Sequence, residues 1–240
     1  MELPQPLIKG RLIRRYNRFL ADVCLDNGRI VTAHTPNTGS MRQCAVPGQT
    51  VLLSKSDNPN RKLAWSWELV QVNNYWVDIN THRANRVVEE ALRQNTIPGL
   101  QGYAIRAEFP YADSRIDFML ERSGEMTLLE VKNVTLCCQP GIACFPDAVT
   151  ARGQKHLRDL AIAVQNGWRA IILFLVQRGE AESFIPADAI DAAYGRLLRE
   201  VVNTGVEALA YRTHVSPEEN RLGNRIPVLL SSLHGTAKNI

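Results

Sequence analysis

The stretch Arg115–Val134, RIDFMLERSGEMTLLEVKNV, reads as two strands folded about a Ser123-Gly124 turn. A turn there sets Asp117 opposite Glu130, with Lys132 two residues further along the second strand. Strand alternation gathers Ile116, Phe118 and Leu120 on one face with Leu129 and Val131, and leaves Asp117, Glu130 and Lys132 on the other. Like charges directly opposed are unfavourable, so something positive is expected to offset them. Lys132 is one candidate. A divalent cation, Mg²⁺ or Mn²⁺, is the other, since such ions are held by one or two carboxylates plus water and phosphate. A lysine beside that ion is placed to orient or deprotonate an attacking water. A solvated hairpin face with an incidental ion pair has the same spacing.

Outward from the hairpin the chain divides into two grammars. Before Asn80 the segments are short and strand-like. Phe19, Ala21, Val23 and Leu25 alternate up to an Asp26-Asn27-Gly28 turn, Ile30 and Thr32 resume, and further strands are expected at Thr50–Leu53 and Trp65–Leu69. Residues 1–80 are therefore expected to form a small all-β barrel of OB type, a shape that often binds oligonucleotides. After Thr81 the period becomes helical, with Ala84, Val87, Val88, Ala91 and Leu92 on one stripe. Strands are expected over 103–109, 115–120 and 126–136, and a helix from about Thr150 with Leu157, Leu160, Ala161 and Val164 inward. The apolar run Ala170–Val176 is expected as a buried strand, followed by a helix over about 187–203 and a strand over 206–211. Helix, three strands, helix, strand, helix, strand is an α/β domain over residues 81–240.

The 240 residues are 45% apolar and 22% charged, which excludes disordered, collagen-like and coiled-coil classes. No apolar run approaches the ~18–20 residues of a bilayer span, and Met1-Glu2-Leu3-Pro4 does not open a signal peptide, so a cytoplasmic protein is expected. Five cysteines do not suggest a disulfide framework, and Cys137, Cys138 and Cys144 lack the paired spacing of a zinc site. Of the net charge of +4, all lies in residues 1–80, where Lys9, Arg11, Arg14, Arg15 and Arg18 run without an acid between them. Such a basic edge attracts polyanions, although a solvated strand face carries the same charges.

Asp117 followed by Glu130-Val131-Lys132 resembles the signature of the PD-(D/E)XK nuclease superfamily. More specifically, Pro36–Gly39, Ser114–Phe118, Glu130–Leu136 and Phe145–Leu157 are similar to the sugar fermentation stimulation protein A (SfsA) family. The resemblance spans nearly the whole chain. It implies an OB-like domain, a nuclease-like α/β domain, DNA binding of little sequence preference, and a regulatory role in sugar, particularly maltose, use. It leaves open whether the site cleaves as a Mg²⁺-dependent endonuclease or is vestigial. By the same resemblance Asp117 and Glu130 are metal ligands, and Glu90 matches an acid that some superfamily members carry on the first helix. Ile116 stands where the superfamily has proline, and Pro146-Asp147 lies too late to be that dipeptide. On the helix after Thr150, Arg152, Gln154 and Lys155 are expected to hold flanking phosphate beside the carboxylates, joining Arg14, Arg15 and Arg18. His156 is expected at the surface.

Overall fold

The structure is a computed structural model that describes residues 1–231; the last nine residues of the expected 81–240 domain lie outside it. Six strands open the chain: β1 (Leu7–Tyr16), β2 (Leu20–Leu25), β3 (Ile30–His34), β4 (Thr50–Lys55), β5 (Trp65–Val72) and β6 (Tyr75–Asp78). They hydrogen-bond in the order β3-β2-β1-β4-β5-β6, and β3 pairs with β5 to close the first five into an OB-like barrel. Alternation explains the interior: Ala21, Val23 and Leu25 point inward from β2 and meet Val51, Leu53 and Trp67. Gly10 is required where β1 crosses β2, because a Cβ there would lie 2.6 Å from Val23 Cγ1.

Next come α1 (Thr81–Arg93), β7 (Ala104–Tyr111), β8 (Ser114–Arg122) and β9 (Glu125–Val134), then a short hairpin, β10 (Leu136–Gln139) and β11 (Ile142–Phe145). The chain continues through α2 (Ala151–Gln165), β12 (Arg169–Val176), β13 (Ser183–Pro186), α3 (Ala192–Asn203), β14 (Glu207–Val215) and β15 (Asn220–Ile226). The main sheet runs β15-β14-β12-β9-β8-β7, with β9, β12 and β14 parallel; β10, β11 and β13 make a second, smaller sheet. β12 is apolar from Ala170 to Val176 because both its faces are covered. The apolar stripe of α1 packs on one face against Leu129, Val131 and Leu173. Leu157 and Leu160 of α2 and Leu198 of α3 pack on the other against Leu128, Ile172 and Phe174. α1 is capped by Asn80, and α3 starts only after its cap Asp191 because residues 187–190 form a turn, with Ile190 N–H donating to Ala187 O at 2.8 Å.

Barrel and α/β domain are joined by buried polar groups. Arg83 of α1 reaches Glu68 of β5 and lies 2.7 Å from the Asp78 carboxylate of β6. Asn220 of β15 donates to the same Asp78 carboxylate at 2.9 Å. Burial nevertheless pushes Asp78 up to about 6 against the pull of Arg83. Residues 1–3 leave the barrel to pair near the β14–β15 turn, where Leu3 N–H donates to Glu218 O at 2.8 Å. Among the described residues no helix is long and apolar enough to cross a membrane.

Candidate active site

The β8–β9 hairpin pairs Phe118 with Leu129 and Met119 with Leu128, which makes Asp117 and Glu130 the next opposed pair. At that point the ladder stops, and the two carboxylates take over the main-chain donors. Asp117 Oδ2 accepts from Val131 N–H at 2.7 Å, and Glu130 Oε2 from Asp117 N–H at 3.3 Å. This break changes one expectation. Ile116 lies beyond it and packs with Met119 and Leu128 under α2 and α3, not with Phe118 and Leu120 under α1.

Three elements complete the cluster. From α1, Asn85 Nδ2 donates to Asp117 Oδ1 at 2.7 Å. Lys132 Nζ lies 2.5 Å from Glu130 Oε1 and 3.2 Å from His156 Nδ1. From α2, His156 Nδ1 sits against Glu130 Oε1, while Arg152 Nε lies 3.4 Å from His156 Nε2. A neutral imidazole meets its carboxylate and guanidinium neighbours together when the proton is on Nδ1 and Nε2 accepts. The pair of acids is electrostatically uneven. Burial, then the Glu130 charge, raises Asp117 to about 6. Burial also pushes Glu130 upward, but Lys132 and His156 outweigh it and hold that carboxyl down at about 2. These groups form the floor of a cavity of about 380 Å³ that is also lined by Arg152, Asn133 and, from the barrel, Asn37–Gly39.

Of the expected site residues, Asp117, Glu130, Lys132 and Arg152 come together. Glu90 does not: its carboxylate binds the Met1 amino group at 2.5 Å and does not line the cavity, and the α1 side chain that arrives is Asn85. Gln154 Nε2 is engaged by Asp191, the α3 cap, at 3.2 Å, and Lys155 Nζ donates to Asp113 O at 2.6 Å. Arg14 is exposed but paired with Asp22 at 2.8 Å; Arg18 is exposed. Arg15 is half-buried and donates to the carbonyls of Asn37 at 2.7 Å and Gly39 at 3.0 Å, a structural use. His156, expected at the surface, is 4% exposed. The face of α2 that carries it is turned toward the carboxylates. Asn85 was missed because an amide beside an apolar stripe carries no motif. The cysteines also differ from expectation: Cys138 and Cys144 form one disulfide across the β10–β11 hairpin. Burial raises the thiols of Cys44 to about 12 and Cys137 to about 11, which makes both inert.

A cation would suit this donor set. Hard oxygens from two adjacent carboxylates, one of them costly to ionise alone, match a Mg²⁺-type ion that keeps water and phosphate in its other positions. Among the described residues no three His, Cys, Asp or Glu side chains form a metal cage, so at this cluster the acidic side chains on offer are Asp117 and Glu130.

An OB-like barrel fused to a helix–three-strand–helix–strand core with acid, acid and lysine at one strand end defines a two-domain protein of nuclease-like architecture. The chain belongs to the sugar fermentation stimulation protein family: the SfsA N-terminal OB domain matches residues 13–79, and the sugar fermentation stimulation protein RE domain matches 82–219. It is 61% identical over 230 residues to the sugar fermentation stimulation protein homolog of Syntrophotalea carbinolica, covering 96% of this chain and all of the relative. Its counterpart in Geobacter sulfurreducens is 57% identical, with 95% of this chain and 99% of that one covered. Pyrococcus furiosus SfsA, solved in complex with Ca²⁺, superposes with a TM-score of 0.87 at 27% identity, over 95% of this chain and 98% of that one.

Proposed function

We propose that this protein binds DNA largely without regard to sequence and hydrolyses its phosphodiester bonds at the Asp117–Glu130–Lys132 cluster. It does so in the cytoplasm, in the service of sugar use that its relatives' name implies. The observation that carries the reading is the broken ladder: two opposed acids and a lysine are held by dedicated partners on the floor of an open cavity. Asp117 and Glu130 would hold Mg²⁺ or Mn²⁺, in keeping with the Ca²⁺ of the Pyrococcus relative. The ion would supply charge for the phosphoryl oxygens and lower the pKa of a bound water. Asn85 fixes the Asp117 carboxylate. His156 fixes Glu130 and is itself steadied by Arg152, whose remaining guanidinium edge is free to meet a phosphate. Lys132 orients the water and offsets the charge that builds as water adds to phosphorus and the P–O ester bond breaks, leaving a phosphate monoester and a hydroxyl.

The test is Mg²⁺- or Mn²⁺-dependent cleavage of DNA offered both as supercoiled plasmid and as a single-stranded circle. Lys132→Met is expected to slow it by on the order of 10²–10⁴. DNA affinity at fixed salt should barely change, because at most one phosphate contact among several is lost. A wild type that binds DNA and cuts neither form reduces the protein to a DNA binder. Equal nicking by wild type and variant removes Lys132 from the chemistry.

A further inference from the structure

We propose that the site takes a single nucleic-acid strand, gripped between the α/β domain and the barrel loop that leads from β3 to β4. This rests on the phosphodiesterase reading and adds to it the form of the substrate and the second wall of the site. Asn37, Thr38 and Gly39 line the same cavity as Asp117, Glu130 and Lys132, so the barrel is part of the site itself.

That wall is fixed at several points. Thr81 Oγ donates to Pro36 O at 3.0 Å, and Arg15 holds the Asn37 and Gly39 carbonyls. Gly39 N–H donates to Asn37 Oδ1 at 2.8 Å. Beyond the loop's tip, Ser40 Oγ donates to Asp147 O at 2.8 Å and Met41 N–H to Asp147 Oδ2 at 3.1 Å. Gly39 is tied to this docking, since a Cβ there would lie 2.8 Å from Asp147 Oδ2. Deeper in the same seam, Gln43 donates to Cys137 O at 2.8 Å and receives Arg178 at 2.6 Å. Together with the buried Arg83 junction, these bonds oppose any parting of barrel and α/β domain.

The space between the walls, about 380 Å³, is at the small end of the ~300–1,000 Å³ that ligand pockets span. One nucleotide's worth of chain fits such a space. A duplex would have to deliver a scissile phosphate to the buried Glu130 with its second strand still attached, against a wall tied down by these bonds. Thr38 is exposed at the lip and Arg152 is exposed on the first turn of α2, which gives the strand a donor on each side. OB-type domains bind single strands in positively charged grooves of their own.

Anisotropy in Ca²⁺ and cleavage in Mn²⁺ would be measured for an oligo-dT of about 12 nucleotides and for the equal-length dT·dA duplex, within the site size of one OB domain. We expect the single strand to bind about tenfold or more tighter than the duplex and to be the form that is cut. Thr38→Asp, which sets a negative charge against phosphate, should weaken single-strand binding by about tenfold with an unchanged melting temperature. Duplex bound and cut as well as single strand overturns the proposal and leaves the phosphodiesterase reading standing. So does a folded Thr38→Asp variant that binds like wild type. A wild type that cuts neither form removes both. Should Thr38→Asp fail to fold, the strand preference of the wild type decides.

Discussion

Replacing Asp117 by Asn should make the metal-free protein more stable while disarming it. Asp117 is buried beside Glu130, and its carboxyl sits at about 6 against an ordinary 3.8. An acid raised on folding holds its proton more tightly in the folded chain than in the unfolded one. Between pH 3.8 and about 6 the folded state therefore carries more protons, and stability falls as pH rises through that window. Above it the cost of the ionised carboxylate is constant, roughly 3 kcal/mol at 1.36 kcal/mol per pH unit. Asparagine removes that cost. It keeps one oxygen for Val131 N–H or Asn85 Nδ2 and loses the other bond, worth about 1 kcal/mol. The balance is about 2 kcal/mol in favour of Asp117→Asn above pH 6. For a chain of this length that is a rise of about 4–8 °C in melting temperature.

The assay is a pair of thermal melts by circular dichroism in EDTA at pH 8 and near pH 4.5, where the advantage of the variant should shrink. Adding Mn²⁺ or Ca²⁺ at pH 8 should reverse the order. Ligand at a hundred times its Kd stabilises wild type by about 2.7 kcal/mol, and the variant has lost one of the two acids that hold it. A variant that melts at or below wild type at pH 8 in EDTA refutes the claim that the two acids load the fold with repulsion. A variant that gains as much from Mn²⁺ as wild type does refutes the metal site.

Three further outcomes are expected. Arg83→Met leaves Glu68 and Asp78 buried without their counter-charge and should cost about 3–5 kcal/mol in chemical denaturation, whereas a loss under about 1 kcal/mol would mean the junction is not held by ions. Cys138→Ser opens a bridge between residues six apart and should cost about 2 kcal/mol under oxidising conditions, with wild type losing the same amount in reductant; a melt insensitive to reductant shows the bridge absent in solution. Arg18→Ala should flatten the salt dependence of DNA affinity by about one phosphate contact, and Arg14→Ala by less because Asp22 already neutralises it; equal slopes for wild type and both variants would take this edge out of the interface.

What could be read from residues alone was whatever local geometry dictates. A Ser-Gly turn and strand alternation suffice to oppose Asp117 and Glu130, and the structure pairs the neighbouring Phe118 and Leu129 in that register. The shift from a period of two to a period of 3.6 near Thr81 separates the last strand of the N-terminal sheet, ending at Asp78, from α1. The misplaced residues depend on contacts far apart in sequence. Ile116 changed sides because the acids, not the backbone, finish the ladder. Glu90 sits on the right helix, but only packing decides that Asn85 is the α1 side chain turned toward Asp117. His156 looked superficial on a polar stripe, and nothing local announces that this stripe covers Glu130.

The basic edge shows the same limit in electrostatic form. A charge count treats Arg14, Arg15 and Arg18 as three equal cations, yet each is used differently. Arg14 is discharged by Asp22, Arg15 is turned inward onto main-chain carbonyls, and Arg18 lends its own carbonyl to Arg15. A guanidinium has five donors, and a loop rich in unpaired carbonyls competes with phosphate for them. In the loop from Pro36 to Ser40 the carbonyls win, so the arginine that looked like a DNA contact instead stiffens the wall that faces the carboxylates. Removing Arg15 should change what fits in the cavity more than it changes the salt dependence of binding.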